Sequence, residues 1–357
     1  MISPKQTVIE LETYSPPTSG RENMLRLDFN ENTVGCSPKV LLALQKINTN
    51  KISVYPEYGD FIEKLSIKLG VSSDEVVLTN GTDEAINQVM QTFVEKGEEV
   101  IIPVPTFAMF KFYATLAGAK VREVLYNLDL SFPFEQVMNS ISSKTKVVVI
   151  VNPNNPTGSS ISEIKILKIL KKAKANDSLV LIDEAYFEFY GKSSIELISQ
   201  FDNLIITRTF SKAYGLAGLR LGCIISNKEI IANIRKSISP YSVNTVALIC
   251  ASAAIEDKNF VQEYVNQVIE NRAIVSKKLS EFGVKVFPSS ANFLIGDFGE
   301  RCNVVYSKLK ERGILVRNRT DDPLLKGCLR IGIGTKEQCE QLLKGIREIL
   351  FERNLIV

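Results

Sequence analysis

The chain is 357 residues long and 45% hydrophobic, with 43 basic and 40 acidic side chains for a formal charge of +3. That length exceeds one ordinary core and implies two domains, while the near-neutral balance, without a basic run interleaved with aromatics, leaves no case for a nucleic-acid partner. Histidine is absent, which excludes Ser-His and Cys-His nucleophile pairs, His-bearing zinc sites and imidazole acid–base chemistry. Any proton shuttle has to be Lys, Tyr, Asp, Glu or Cys. The six cysteines form no C-x-x-C pair, as expected of reduced thiols. The first residues lack the apolar core of a signal peptide and no run reaches membrane-spanning length. The expectation is a cytoplasmic chain with no membrane partner and no metal.

In chain order, the N-terminal segment has Pro and Gly punctuation without a sustained period and is expected to wrap over another surface. From residue 76 onward, apolar β-branched runs at 76–79, 100–102, 121–125, 147–151, 179–182, 204–207 and 221–225 alternate with helical spacing at 84–94, 107–116 and 161–174. This predicts an α/β fold with a mainly parallel, seven-stranded, doubly wound sheet between helices. Loops at the carboxyl ends of its strands should hold the ligand. Beyond it, a long helix at 259–281, short strands at 284–287 and 293–295, and helices at 304–311 and 336–351 read as a smaller α/β domain. The expected division is 1–45 as an N-terminal arm and part of the small domain, 46–258 as the large domain, and 259–357 as the small C-terminal domain.

Residues 209–220 hold a lysine, Lys212, among small residues, with Arg220 eight positions on. Gly215, Gly218 and Gly222 so close together predict an irregular loop where something approaches the backbone, and a cofactor is the expected visitor. A lysine there can act as a covalent amine, forming a Schiff base with an aldehyde and moving protons once displaced. Four other strand-end loops add to it. Gly81, Thr82 and Asp83 open a helix whose unpaired N–H groups and dipole suit a phosphate, although the same residues also make an ordinary N-cap. Residues 151–158 carry two prolines that stiffen the backbone around Asn155, whose amide suits a phenolate oxygen; plain turns use the same dipeptides. Asp183 ends an apolar strand where a carboxylate can keep a pyridine nitrogen protonated, or simply cap the strand. Three residues on, Tyr186 can donate to the phenolate oxygen, and Glu184 reads as a supporting or surface partner. Phe107 can lie against a planar cofactor, or be core.

With Asn152–Gly158, Asp183–Tyr186 and Ser211–Arg220 in this order and spacing, the chain resembles the fold-type I pyridoxal-phosphate aminotransferases, and within them the histidinol-phosphate aminotransferases. Asn30, Glu31 and Asn32, Tyr55 and Pro56, Pro105–Phe107 and Leu329–Ile331 extend the similarity over nearly the whole length, whereas Thr33, Phe107 and Cys223 depart from residues frequent in relatives. The resemblance implies pyridoxal 5′-phosphate held covalently by Lys212, with Asp183 at the ring nitrogen, Asn155 and Tyr186 at the ring oxygen, and Phe107 stacked on the ring. It implies that Gly81, Thr82, Asp83, Ser211 and Arg220 take the phosphate, with Tyr55 reaching in from the neighbouring subunit of a homodimer. Arg330 would bind the substrate carboxylate or phosphate, with Arg317 (or Arg319) as a second cation and Asn30 and Asn155 as further substrate contacts. The implied reaction is transamination between L-histidinol phosphate and 2-oxoglutarate in histidine biosynthesis. Aromatic amino acid transamination and phosphothreonine decarboxylation are the alternatives.

Overall fold

In a computed structural model of the protein, residues 2–11, 19–322 and 324–351 are described. The strands in chain order are β1 (Leu25–Arg26), β2 (Val76–Thr79), β3 (Glu99–Val104), β4 (Lys120–Leu125), β5 (Thr145–Val151), β6 (Leu179–Asp183), β7 (Leu204–Thr209), β8 (Gly222–Ser226), β9 (Lys285–Phe287), β10 (Phe293–Asp297), β11 (Ile314–Leu315), β12 (Arg317–Asn318) and β13 (Cys328–Gly332). Seven of them form one sheet in the order β2-β8-β7-β6-β5-β3-β4, parallel except for β8, which runs antiparallel to both neighbours.

The continuous apolar runs have a simple cause. Val147, Val149 and Val151 of β5 face one core, together with Ile86 and Val89 from the helix Gly81–Phe93. Val148 and Ile150 face the other, with Ile166 and Ile169 from the helix Glu163–Lys174. A strand covered on both sides needs apolar residues at every position. Only β4, at the edge, alternates toward charge, with Lys120, Arg122 and Glu123 exposed or half-buried, which discourages pairing with another chain.

Strand order reverses between β3 and β5, the topological switch point where open α/β sheets bind ligands. The segments after β2, β3, β5, β6 and β7 all leave at the same edge of the sheet, and they contain Gly81, Phe107, Asn155, Tyr186 and Lys212.

A second, antiparallel sheet has the order β12-β13-β10-β9, covered by the helices Lys258–Glu281, Cys302–Glu311 and Lys336–Phe351. The N-terminal segment does pass over another surface. β1 pairs with β11, and Leu27 O accepts from Gly332 N at 2.8 Å. Its lack of period was misleading further on, because the helices Pro38–Gln45, Thr49–Ser53 and Gly59–Leu69 follow. Ser37 and Asn48 cap the first two, each accepting a backbone N–H. These helices are short and expose Leu41, Leu42 and Ile52, so their hydrophobic stripe is blurred. No described helix is long and apolar enough to cross a membrane.

Candidate active site

A cavity of about 320 Å³ opens at the switch point between the two sheets, lined among others by Thr82, Phe107, Asn155, Asp183, Tyr186, Ser211, Lys212, Arg220, Arg317, Arg319 and Arg330. Sequence-distant residues converge here because Thr82, Phe107, Asn155, Asp183, Tyr186 and Lys212 sit at or after the carboxyl ends of strands in the large sheet, while Arg317 and Arg330 come from β12 and β13 of the second sheet. Larger or comparable hollows elsewhere, such as that around Ile274, Phe282 and Leu343, lack such a set.

Lys212 follows β7 in a non-regular segment, where Thr209 Oγ1 accepts from Ser211 N at 3.1 Å. Its Nζ donates to the Phe29 carbonyl at 3.0 Å and lies 5.6 Å from the centre of the Tyr186 ring. Among the described residues no carboxylate pairs with it. The three glycines around it differ in what surrounds them. A Cβ at Gly215, which has φ +68°, would sit 2.4 Å from Gly35 O, and one at Gly222 would sit 2.8 Å from Gly81 C, whereas Gly218 has open space. At Gly215 and Gly222 the protein's own backbone makes the close approach, and Gly222 belongs to β8.

Asp183 is 4% exposed and accepts from Thr207 Oγ1 at 2.9 Å. Burial pushes its carboxyl up to about 7, partly countered by the Thr207 hydroxyl and the Ala185 amide. No cation among the described residues pairs with it. Tyr186 Oη accepts from Asn30 Nδ2 at 3.0 Å, and its ring meets Phe293 edge-on at 5.4 Å. Phe107 is half-buried and meets Phe110 edge-on at 6.3 Å, leaving it on the cavity wall.

At the other end Gly81, with φ +76°, starts the helix Gly81–Phe93. The Arg220 guanidinium lies so close over it that a Cβ would be 2.5 Å from Nη2. The same nitrogen pairs with Asp83 Oδ2 at 2.9 Å, so the Asp83 side chain holds Arg220 while its backbone stays at the helix start. Arg330 is 7% exposed and donates to Asn155 Oδ1 and to the Asp28 carbonyl. Both Arg317 and Arg319 line the cavity. Arg319 is held by Asp322 at 3.3 Å, and Arg317 stands 5.9 Å from the Phe29 ring.

Between the supporting and the surface part expected of Glu184, the structure decides. Glu184 is not on the surface: it is 1% exposed and takes Arg208 Nη2 at 2.9 Å, Ser193 Oγ at 2.7 Å and Ser194 N at 2.6 Å. Tyr55, expected to serve the site of a neighbouring subunit, lies outside this chain's own cavity, 75% exposed and stacked on Tyr241 at 4.5 Å. The segment Asp28–Asn32 was underread, since it borders the cavity and its carbonyls at Asp28 and Phe29 receive Arg330 and Lys212. Backbone acceptors leave no signal in residue type.

The residues present fit pyridoxal phosphate. A buried carboxyl without a cation suits a ring N–H, a lysine held by a backbone carbonyl and no carboxylate suits an aldehyde, and a helix start under an arginine suits a phosphate. The aminotransferase class I and II family model matches residues 22–346. The chain belongs to that family. It is 38% identical to the histidinol-phosphate aminotransferase of Caldanaerobacter subterraneus, over 91% of this chain and 93% of the relative. It superposes with a TM-score of 0.85 on the crystal structure of the histidinol-phosphate aminotransferase from Clostridium acetobutylicum, at 26% identity over 92% of this chain and 100% of that one. The fold is also that of the Sinorhizobium meliloti histidinol-phosphate aminotransferase in complex with pyridoxal-5′-phosphate, with TM-score 0.86 and 24% identity, each chain 97% covered.

Proposed function

We propose that the chain binds pyridoxal 5′-phosphate on Lys212 and transfers an amino group from L-histidinol phosphate to 2-oxoglutarate, yielding imidazole-acetol phosphate and L-glutamate in histidine biosynthesis. The observation that carries this reading is that one cavity holds both the Lys212 amine without a carboxylate partner and the buried Asp183 carboxyl without a cation among the described residues. Bound there, the cofactor supplies an electron-accepting ring that stabilises the charge left when a Cα–H bond breaks.

The protein's part is to bind, orient and move protons. Lys212 Nζ would relay the proton off the amino-bearing carbon of the donor in one half-reaction and onto the corresponding carbon of the acceptor in the other. Asp183 holds a proton at the ring nitrogen, and Asn155 and Tyr186 address the ring oxygen, while Phe107 flanks the ring. The N–H groups of Gly81, Thr82 and Asp83, with Ser211 and Arg220, receive the phosphate. Arg330, whose guanidinium plane is fixed by Asn155 and the Asp28 carbonyl, receives the carboxylate of glutamate or the phosphate of the alcohol substrate, with Arg317 as the nearer second cation.

The division into 1–45, 46–258 and 259–357 accords with the two sheets. Exposed Leu41, Leu42, Ile52, Val54, Tyr55 and Tyr241 support a homodimer in which Tyr55 reaches the neighbouring phosphate site. Cytoplasmic residence accords with six unpaired cysteines among the described residues.

The test is a single-turnover spectrum of the reconstituted protein with L-histidinol phosphate, phenylalanine and glutamate in turn. The expected result is fastest loss of the visible band with histidinol phosphate, and no band or turnover in Lys212→Ala. A faster response to phenylalanine would make it an aromatic aminotransferase, and CO₂ release from phosphothreonine a decarboxylase. A protein that gains no visible band from the cofactor refutes the reading.

A further inference from the structure

Tyr186 and Asn30 are 3% and 2% exposed, and Asn30 Nδ2 donates to Tyr186 Oη at 3.0 Å. A phenol has one proton to give and lone pairs to receive with, whereas an amide nitrogen only donates. With its lone-pair side occupied by Asn30, Tyr186 keeps its proton for another acceptor, and none among the described residues takes it. The phenol lines the cavity beside Asn155, Asp183 and Lys212, and Phe293 covers its ring edge.

We propose that Asn30 is a positioning residue that fixes Tyr186 as a hydrogen-bond donor toward the ring oxygen of the cofactor. This rests on the reading that pyridoxal phosphate occupies the cavity. It also changes the part expected of Asn30, whose amide is committed to Tyr186 and not to substrate.

Asn30 is built into place. Its carbonyl accepts from Asn292 Nδ2 at 3.0 Å, and its φ of +55° lies in the left-handed region that few residues besides Gly, Asn and Asp tolerate. On either side of it, the Phe29 carbonyl receives Lys212 Nζ at 3.0 Å and Asn32 Nδ2 donates to Ala213 O at 3.1 Å. Asn30 Oδ1, by contrast, is buried without a partner. Among the described residues, the Asn30 side chain makes its hydrogen bond through the amide nitrogen alone, to Tyr186.

The experiment titrates the visible band of the cofactor-loaded, substrate-free enzyme against pH in wild type, Asn30→Gly, Asn30→Asp, Tyr186→Phe and the double variants. Glycine suits the positive φ and deletes the donor. Aspartate keeps the shape but replaces the donor with an acceptor, which takes the Tyr186 proton away from the cavity. The native charged groups on the cavity beside Tyr186, namely Lys212, Asp183 and Arg330, are unchanged throughout, and because Asn30→Asp adds a carboxyl, Asn30→Gly with and without the Tyr186 hydroxyl is the deciding pair. Without a donor at the ring oxygen, the proton it shares with the lysine nitrogen is held more tightly. The midpoint should therefore rise by about one pH unit in Asn30→Gly and further in Asn30→Asp. Cofactor release on dialysis should become about 10-fold easier in both. In the Tyr186→Phe background Asn30→Gly should leave the midpoint unmoved, and Asn30→Asp should move it less than it does with the hydroxyl present.

An Asn30→Asp midpoint equal to wild type, or equal shifts with and without the Tyr186 hydroxyl, overturns the proposal. If the Asn30 variants do not fold, Asn292→Ala decides: it should raise the midpoint only when Tyr186 is present, and an unmoved midpoint overturns the proposal equally. A wild type that shows no visible band instead removes the functional reading beneath it.

Discussion

Asp183→Asn should have opposite effects on the protein without and with its cofactor. In the cofactor-free chain the Asp183 carboxyl titrates near 7 because it is buried at the end of β6 with only the Thr207 hydroxyl and the Ala185 amide for support. The unfolded chain releases the same proton near the ordinary value of about 3.9. Between these values the folded state binds more protons than the unfolded state, so stability is fullest below pH 4 and falls as pH rises toward 7. A displacement of about three units corresponds to a ceiling of roughly 4 kcal/mol lost by pH 8. Asparagine carries no charge at any pH. The variant should exceed wild type by about 1.5 kcal/mol at pH 5 and by up to about 4 kcal/mol at pH 8. Glu188, which burial pushes up to about 8, is present in both proteins and cancels in the difference. Urea unfolding of the cofactor-free proteins at the two pH values measures this. Once the cofactor is loaded the sign reverses, because an amide cannot hold a proton at the ring nitrogen as a carboxylate does, and kcat should fall by about 10²–10⁴-fold. A stability difference that does not grow between pH 5 and pH 8 would refute the argument that Asp183 is buried without a cation.

Other substitutions probe the remaining supports of the cavity. Gly222→Ala would place a Cβ 2.8 Å from Gly81 C and 3.0 Å from Thr82 N, all rigid backbone, so the phosphate end must shift. Cofactor affinity, read by equilibrium dialysis, should weaken by about 10–100-fold, and unchanged affinity would place the phosphate elsewhere. Arg330→Lys keeps the charge but loses the fork held by Asn155 and the Asp28 carbonyl. KM for glutamate should rise by about 10-fold or more with the cofactor spectrum unchanged. Glu184→Gln leaves Arg208 buried without its counter-charge and should cost about 3–5 kcal/mol in urea unfolding, an effect on stability and not on the cofactor.

Much of the fold was legible because its cause is local. β5, β6, β7 and β8 are buried on both faces, and burial on both faces writes itself into the chain as unbroken Val, Leu and Ile. The helices Gly81–Phe93 and Glu163–Lys174 declare themselves through apolar spacing. The helices between residues 38 and 69 stayed hidden because Leu41, Leu42, Ile52 and Ile67 face outward, which breaks that spacing.

The site divides along the same line. Lys212, Asp183, Asn155, Tyr186 and Arg220 could be named from residue type and from position after a strand, since a parallel sheet delivers all such positions to one edge. What each side chain faces was decided only in three dimensions. Arg330 meets Asn155 across 175 positions and Asn30 meets Tyr186 across 156, and Glu184 turns inward to Arg208 while Asp183, one residue earlier, faces the cavity. Residue type determines what chemistry a group can do, and strand pattern determines which end of the sheet it reaches. Which partner satisfies it depends on contacts between segments far apart in the chain, and no local period records those.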